Sequence, residues 1–112
     1  MAESGRIMEL GPLSEVAREP GVTDIAVTCD GSVWVDGGDG MRLRRLRVPF
    51  DSAQSIRNFA VRLCSQLGRR LDDACPIADA STVDGVRVHA VIAPLVPQGA
   101  AISIRLPDAT AP

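Results

Sequence analysis

Arg87 and Arg105 are the two residues of this chain whose placement could do chemistry. Both lie in the stretch Asp84 to Pro107, DGVRVHAVIAPLVPQGAAISIRLP. Val86, Val88, Ala90 and Ile92 alternate there with Arg87, His89 and Val91, the period of a half-buried strand. Ile102, Ile104 and Leu106 alternate with Ser103 and Arg105 in the same way, and the intervening Pro94 to Ala100 is rich in turn-forming residues. If the strands pair symmetrically about Val96, Arg87 faces Arg105 on the polar side. Like charges directly opposite across a ladder destabilise it, so an anion is a natural third party between them. The other reading of the same pattern is two exposed arginines on a solvated face.

Other chemistry is scarce. All twelve basic residues are arginine, so a P-loop, which needs a lysine on its phosphates, and Schiff-base catalysis are both excluded within this chain. The one histidine, His89, leaves no Ser/His/Asp or Cys/His arrangement beyond itself. Cys29, Cys64 and Cys75 form no CxxC pair, and we expect three buried, reduced thiols rather than a metal site. Asp72-Asp73 and the Asp36/Asp39 pair sit in polar turn segments, and Gly37, Gly38 and Gly40 lead into a strand rather than a helix, unlike a nucleotide loop. With Trp34, Phe50 and Phe59 as the only aromatics and a net charge of -2, neither base stacking nor a basic field points to nucleic acid. No stretch has the apolar length of a signal peptide or membrane span, which fits a cytoplasmic protein.

The elements that must hold the arginines can be read around them. Gly11 to Glu19 reads as a short helix with Pro12 in its first turn and Pro20-Gly21 as its stop. Thr23 to Cys29 and Ser32 to Val35 flank Asp30-Gly31 as a hairpin. Met41 to Val48 reads as a third strand whose Arg42, Arg44, Arg45 and Arg47 suit a sheet edge. Asp51 to Gly68 is the clearest helix. Ile56, Phe59, Ala60, Leu63, Cys64 and Leu67 form one apolar stripe, Asp51 is the expected N-cap with Gln54 three residues on, and Gly68 is the expected C-terminal stop. Residues 71–77 read as a loop and Ala78 to Val83 as a strand. Helix, three-strand meander, helix, three-strand meander predicts an α+β fold, an antiparallel sheet with helices on one face. Residues 1–10 read as a flexible lead-in, 11–106 as one domain and 107–112 as a tail or linker.

The chain also resembles a known family over about Gly11 to Leu106. GPLSEVAREPGVTDIAVTCDGSVWVD, SIRNFAVRLCSQLGRRLDDACPIADA and DGVRVHAVIAPL…AISIRLP follow, in order, motifs of the N-terminal domain of type II/type IV secretion traffic ATPases, most like the CpaF/TadA-like branch of tight-adherence pilus assembly. The resemblance implies a PAS-like domain joined to a RecA-like ATPase domain, in a hexameric ring whose neighbouring subunits and inner-membrane platform protein are the partners. ATP and Mg²⁺ would be held mostly by the RecA-like domain, with arginines at the positions of Arg87 and Arg105 reaching the phosphates and His89 lining the cleft. The family pattern is broken at Ser81 and Leu106, where relatives carry arginine, and at Ala93 before Pro94. Alone, the chain is expected to hydrolyse nothing. A second expectation is a protein-interaction module that docks through Arg42, Arg44, Arg45 and Arg47.

Overall fold

The computed structural model describes residues 8–107. Gly11–Leu13 forms one 3₁₀ turn that runs into α1, Ser14–Ala17. Six strands follow in order: β1 Asp24–Val27, β2 Val33–Asp36, β3 Met41–Arg44, β4 Ile77–Ser81, β5 Arg87–Ile92 and β6 Ala100–Arg105. The helix α2, Ala53–Gln66, lies between β3 and β4 in sequence. Every pairing is antiparallel and the sheet order is β3-β2-β1-β6-β5-β4. The α+β reading therefore holds.

Alternation decides which face is covered. Ile25 and Val27, Val33 and Val35, Val88, Ala90 and Ile92, and Ala100, Ile102 and Ile104 are buried, and they join Leu13, Val16, Ile56, Phe59 and Leu63 of the helical elements in one core. The alternate residues of the same strands form an open face. The hairpin turn between β5 and β6 is pinned against α2. A Cβ at Gly99 would fall 2.9 Å from the Ala53 carbonyl oxygen, and Gly99 has a φ of 56°, so a side chain is excluded both by space and by backbone conformation.

Several boundaries differ from the sequence reading. The cap of α2 is Ser52, not Asp51. Its hydroxyl accepts from the Ser55 backbone N–H at 3.0 Å, and Ser55 Oγ accepts in return from the Ser52 N–H at 3.2 Å. Gln54 instead donates along the helix to Asn58. Gly68 does end the helix, with φ 72°, while the Arg69 N–H reaches back to the Cys64 carbonyl. Strand β3 stops at Arg44 because its partner begins at Val33, opposite Arg44. Beyond it the chain bends and buries Leu46. Strand β4 starts at Ile77, within the expected loop, because Ile77 has Val91 to pair with. It ends at Ser81, where Thr82 to Gly85 turn through the Gly85 to Thr82 bond. Only Cys64 of the three thiols is buried. Cys29 is half-buried and Cys75 exposed, since the tight Asp72–Cys75 turn faces outward. Leu10, inside the expected lead-in, belongs to the core. The remainder of that lead-in, residues 1–7, and residues 108–112 of the expected tail lie outside the described residues.

Candidate functional site

The open face carries two rows of side chains over its central strands. One row runs Asp24, Arg105, Arg87, Ser81 across β1, β6, β5 and β4, and the next runs Ala26, Ser103, His89, Asp79. Arg87 is paired directly with Arg105, the register expected from the sequence. Together with Asp24, Asp79, His89 and Ser103 they line a shallow cleft of about 270 Å³.

The charges in this cleft are held unequally. Arg105 donates through Nε to Asp24 Oδ1 at 3.1 Å, and Thr23 Oγ1 donates to Asp24 Oδ2 at 2.9 Å. Among the described residues the carboxylate near Arg87 is that of Asp79, Nη2 to Oδ1 at 3.9 Å, beyond hydrogen-bond range. His89 Nδ1 lies 3.7 Å from the other oxygen of the same carboxylate. Both arginine side chains are about two-thirds exposed, at 64% and 69%, so their terminal nitrogens are open to a ligand. Two guanidinium forks on one rigid ladder can hold a polyanion in a bidentate manner on each. His89 stands one row further along, where it can add a donor.

Asp24, Asp79 and Ser103 are the members that sequence reasoning missed. Asp79 and Ser103 follow from the hairpin register once β4 is aligned. Asp24 reaches the site only through the β1–β6 pairing, for which the local pattern carries no signal.

Of Arg42, Arg44, Arg45 and Arg47, three meet carboxylates. Arg42 and Arg44 alternate toward the helical side of β3, and Met41 and Leu43 toward the open face. Arg44 forms a bidentate pair with Glu19, at 2.8 and 2.6 Å, whose hydrogen bonds hold the Glu19 carboxyl below the usual range and raise Arg44. Arg42 meets Asp39 at 2.9 Å and Arg47 meets Glu15 at 3.2 Å. Arg45 is exposed with no carboxylate partner among the described residues. Trp34 and Leu43 instead stand side by side on the open face, with Met41 beside them, as an exposed apolar patch.

No family model matches the chain. It is 40% identical over 102 residues to two Mycobacterium tuberculosis proteins, of strains CDC 1551 and H37Rv, each named as a conjugal transfer protein. That alignment takes in 86% of this chain but 28% of each relative's length. Among solved structures, the chain superimposes on the VirB11 ATPase of the Brucella suis type IV secretion system, crystallised in complex with sulphate, with a TM-score of 0.72 at 17% identity. The match covers 90% of this chain and 31% of that one. The six-stranded sheet and its helices are thus a fold found within a type IV secretion ATPase.

No helix among the described residues is long and apolar enough to cross a membrane. A mostly apolar cavity of about 430 Å³ lies between α1, the start of β1 and the chain just before β5 and just after β6, with Thr23, Val86 and Leu106 in its wall. It lacks the convergence of opposed donors that Arg87 and Arg105 make.

Proposed function

We propose that this chain is the nucleotide-gating unit of a secretion- or conjugation-type ATPase, and that Arg87 and Arg105 contact the phosphates of ATP held mainly by a RecA-like domain elsewhere in the parent protein. The observation that carries this reading is the direct pairing of the two arginines on an open sheet face, with one of them lacking a hydrogen-bonded carboxylate among the described residues. Two facing guanidinium groups, only one of them held by a hydrogen-bonded carboxylate among the described residues, fit a function that needs an anion between them. The length of the mycobacterial relatives, of which this chain spans 28%, leaves room for such a domain.

In this reading ATP and Mg²⁺ bind between the two domains, the parent works as a hexameric ring, and the tight-adherence branch is the one its motifs fit best. The arginines draw charge from the phosphates as phosphoryl transfer proceeds, and His89 lines the same cleft. Alone, the chain holds polyphosphate only weakly, in the millimolar range. Arg87→Ala or Arg105→Ala in the full-length parent lowers ATP turnover on the order of 10³-fold while the far-ultraviolet circular dichroism stays unchanged. Turnover within about twofold of the parent's would sink the reading.

One observation favours a second role. Trp34, Met41 and Leu43 make an exposed apolar patch on the same face. Such a patch suits docking to a neighbouring subunit or an inner-membrane platform protein. Were docking the whole role, Leu43→Asp would abolish assembly and the arginine variants would leave turnover unchanged.

A further inference from the structure

We infer that Asp24 is a positioning residue for this site, backed by Thr23, and that it fixes Arg105 as a stationary fork onto which Arg87 later closes. The inference rests on the phosphate-contact reading above.

The geometry is specific about which nitrogen Asp24 takes. Its Oδ1 accepts from Nε alone, at 3.1 Å. Nη1 and Nη2, the end-on fork that grips a phosphate, make no hydrogen bond among the described residues, and the side chain is 69% exposed. Asp24 is itself tied down. Its second oxygen takes the Thr23 hydroxyl at 2.9 Å, and its side chain is only 29% exposed. Thr23 is in turn held through its backbone on both sides, its N–H to Asp36 and its carbonyl from Leu106. A chain of bonds thus runs from two strand ends through a hydroxyl and a carboxylate to one guanidinium. Among the described residues Arg87 has no such anchor, because the nearest carboxylate, that of Asp79, lies 3.9 Å away. A site with one fixed and one yielding arginine spends less ordering entropy on binding than two loose ones.

A carboxylate beside an anion site also repels the anion, and this supplies the test. Asp24→Asn and Asp24→Ala remove the same charge, but only asparagine keeps an oxygen for Nε. Inorganic tripolyphosphate is titrated into the 112-residue chain and its variants, and the Arg105 Nε–H resonance is followed by NMR. We expect Asp24→Ala to bind about tenfold more weakly than Asp24→Asn, the scale of one charge-assisted hydrogen bond. The Nε–H signal should stay slowly exchanging in the wild type and in Asp24→Asn, and be lost in Asp24→Ala. Thr23→Val, which keeps a strand-forming side chain and all charges, should weaken binding about two- to threefold. Equal binding by Asp24→Ala and Asp24→Asn would show that Asp24 acts through charge alone and overturn the positioning role, leaving the phosphate reading intact. No wild-type shift at Arg87 or Arg105 up to about 10 mM tripolyphosphate would overturn the phosphate reading itself, and this role with it.

Discussion

Arg87 stands directly opposite Arg105 across the β5–β6 ladder, yet among the described residues only Arg105 has a carboxylate within hydrogen-bond range. The repulsion between them is therefore offset more firmly at Arg105 than at Arg87, which Asp79 approaches only to 3.9 Å. Arg87→Thr removes it and substitutes a residue that suits a strand. We expect the isolated chain to gain about 0.2–1 kcal/mol, read as a higher urea midpoint at unchanged slope. A midpoint equal to or below the wild type's would mean that the two guanidinium groups do not strain the ladder. Arg105→Thr should gain less, because it also discards the bond to Asp24.

The start of α2 separates two neighbouring residues of similar type. Ser52→Ala removes the hydroxyl that accepts from the Ser55 N–H, leaving only the backbone half of the cap, and should cost about 1 kcal/mol in urea unfolding. Asp51→Ala, one residue earlier and exposed, should stay within about 0.5 kcal/mol of the wild type. The reverse order would contradict the capping geometry.

The three thiols should react in order of exposure. Cys75 labels first with an aromatic disulfide reagent under native conditions, Cys29 follows, and Cys64 labels only on unfolding. Burial also pushes the Cys64 thiol above its ordinary pKa, which lowers its thiolate fraction further. Mass spectrometry of a time course reads the order directly, and early modification of Cys64 would disprove it.

The Glu19–Arg44 pair gives a pH signature. Its hydrogen bonds depress the Glu19 pKa in the fold, so its stabilisation is present above the ordinary glutamate pKa and disappears as pH falls through the depressed value. Both side chains are more than a third exposed, at 36% and 41%, and solvent screening keeps the contribution within about 1 kcal/mol. Wild type and Glu19→Gln should differ in urea midpoint at neutral pH and converge in acid. A gap that persists at low pH would assign the effect to packing.

Much of this fold was legible because its decisive signals are local. The β5–β6 register follows from two alternating runs around a proline-rich turn, so the facing arginines could be placed from the residues alone. The stripe from Ile56 to Leu67 marked α2 for the same reason. Ends were harder, since Asp51 and Ser52 are both good caps and only the three-dimensional path of the chain chooses between them. The basic run from Arg42 to Arg47 alternates as a strand would, but strand β2 offers nothing to pair with beyond Arg44. Asp24 was out of reach because it meets Arg105 through strands separated by most of the chain, and such pairing leaves no periodic trace.

The sheet order has a consequence for how the protein comes into being. Strand β6 is the last to be synthesised, yet it lies between β1 and β5 and joins the two meanders. As the chain leaves the ribosome, β1–β2–β3 and β4–β5 are two half-sheets with unsatisfied inner edges, and only the insertion of β6 closes the seam. Arg105 rides on that strand. The facing arginines therefore come together in the same event that joins the two half-sheets.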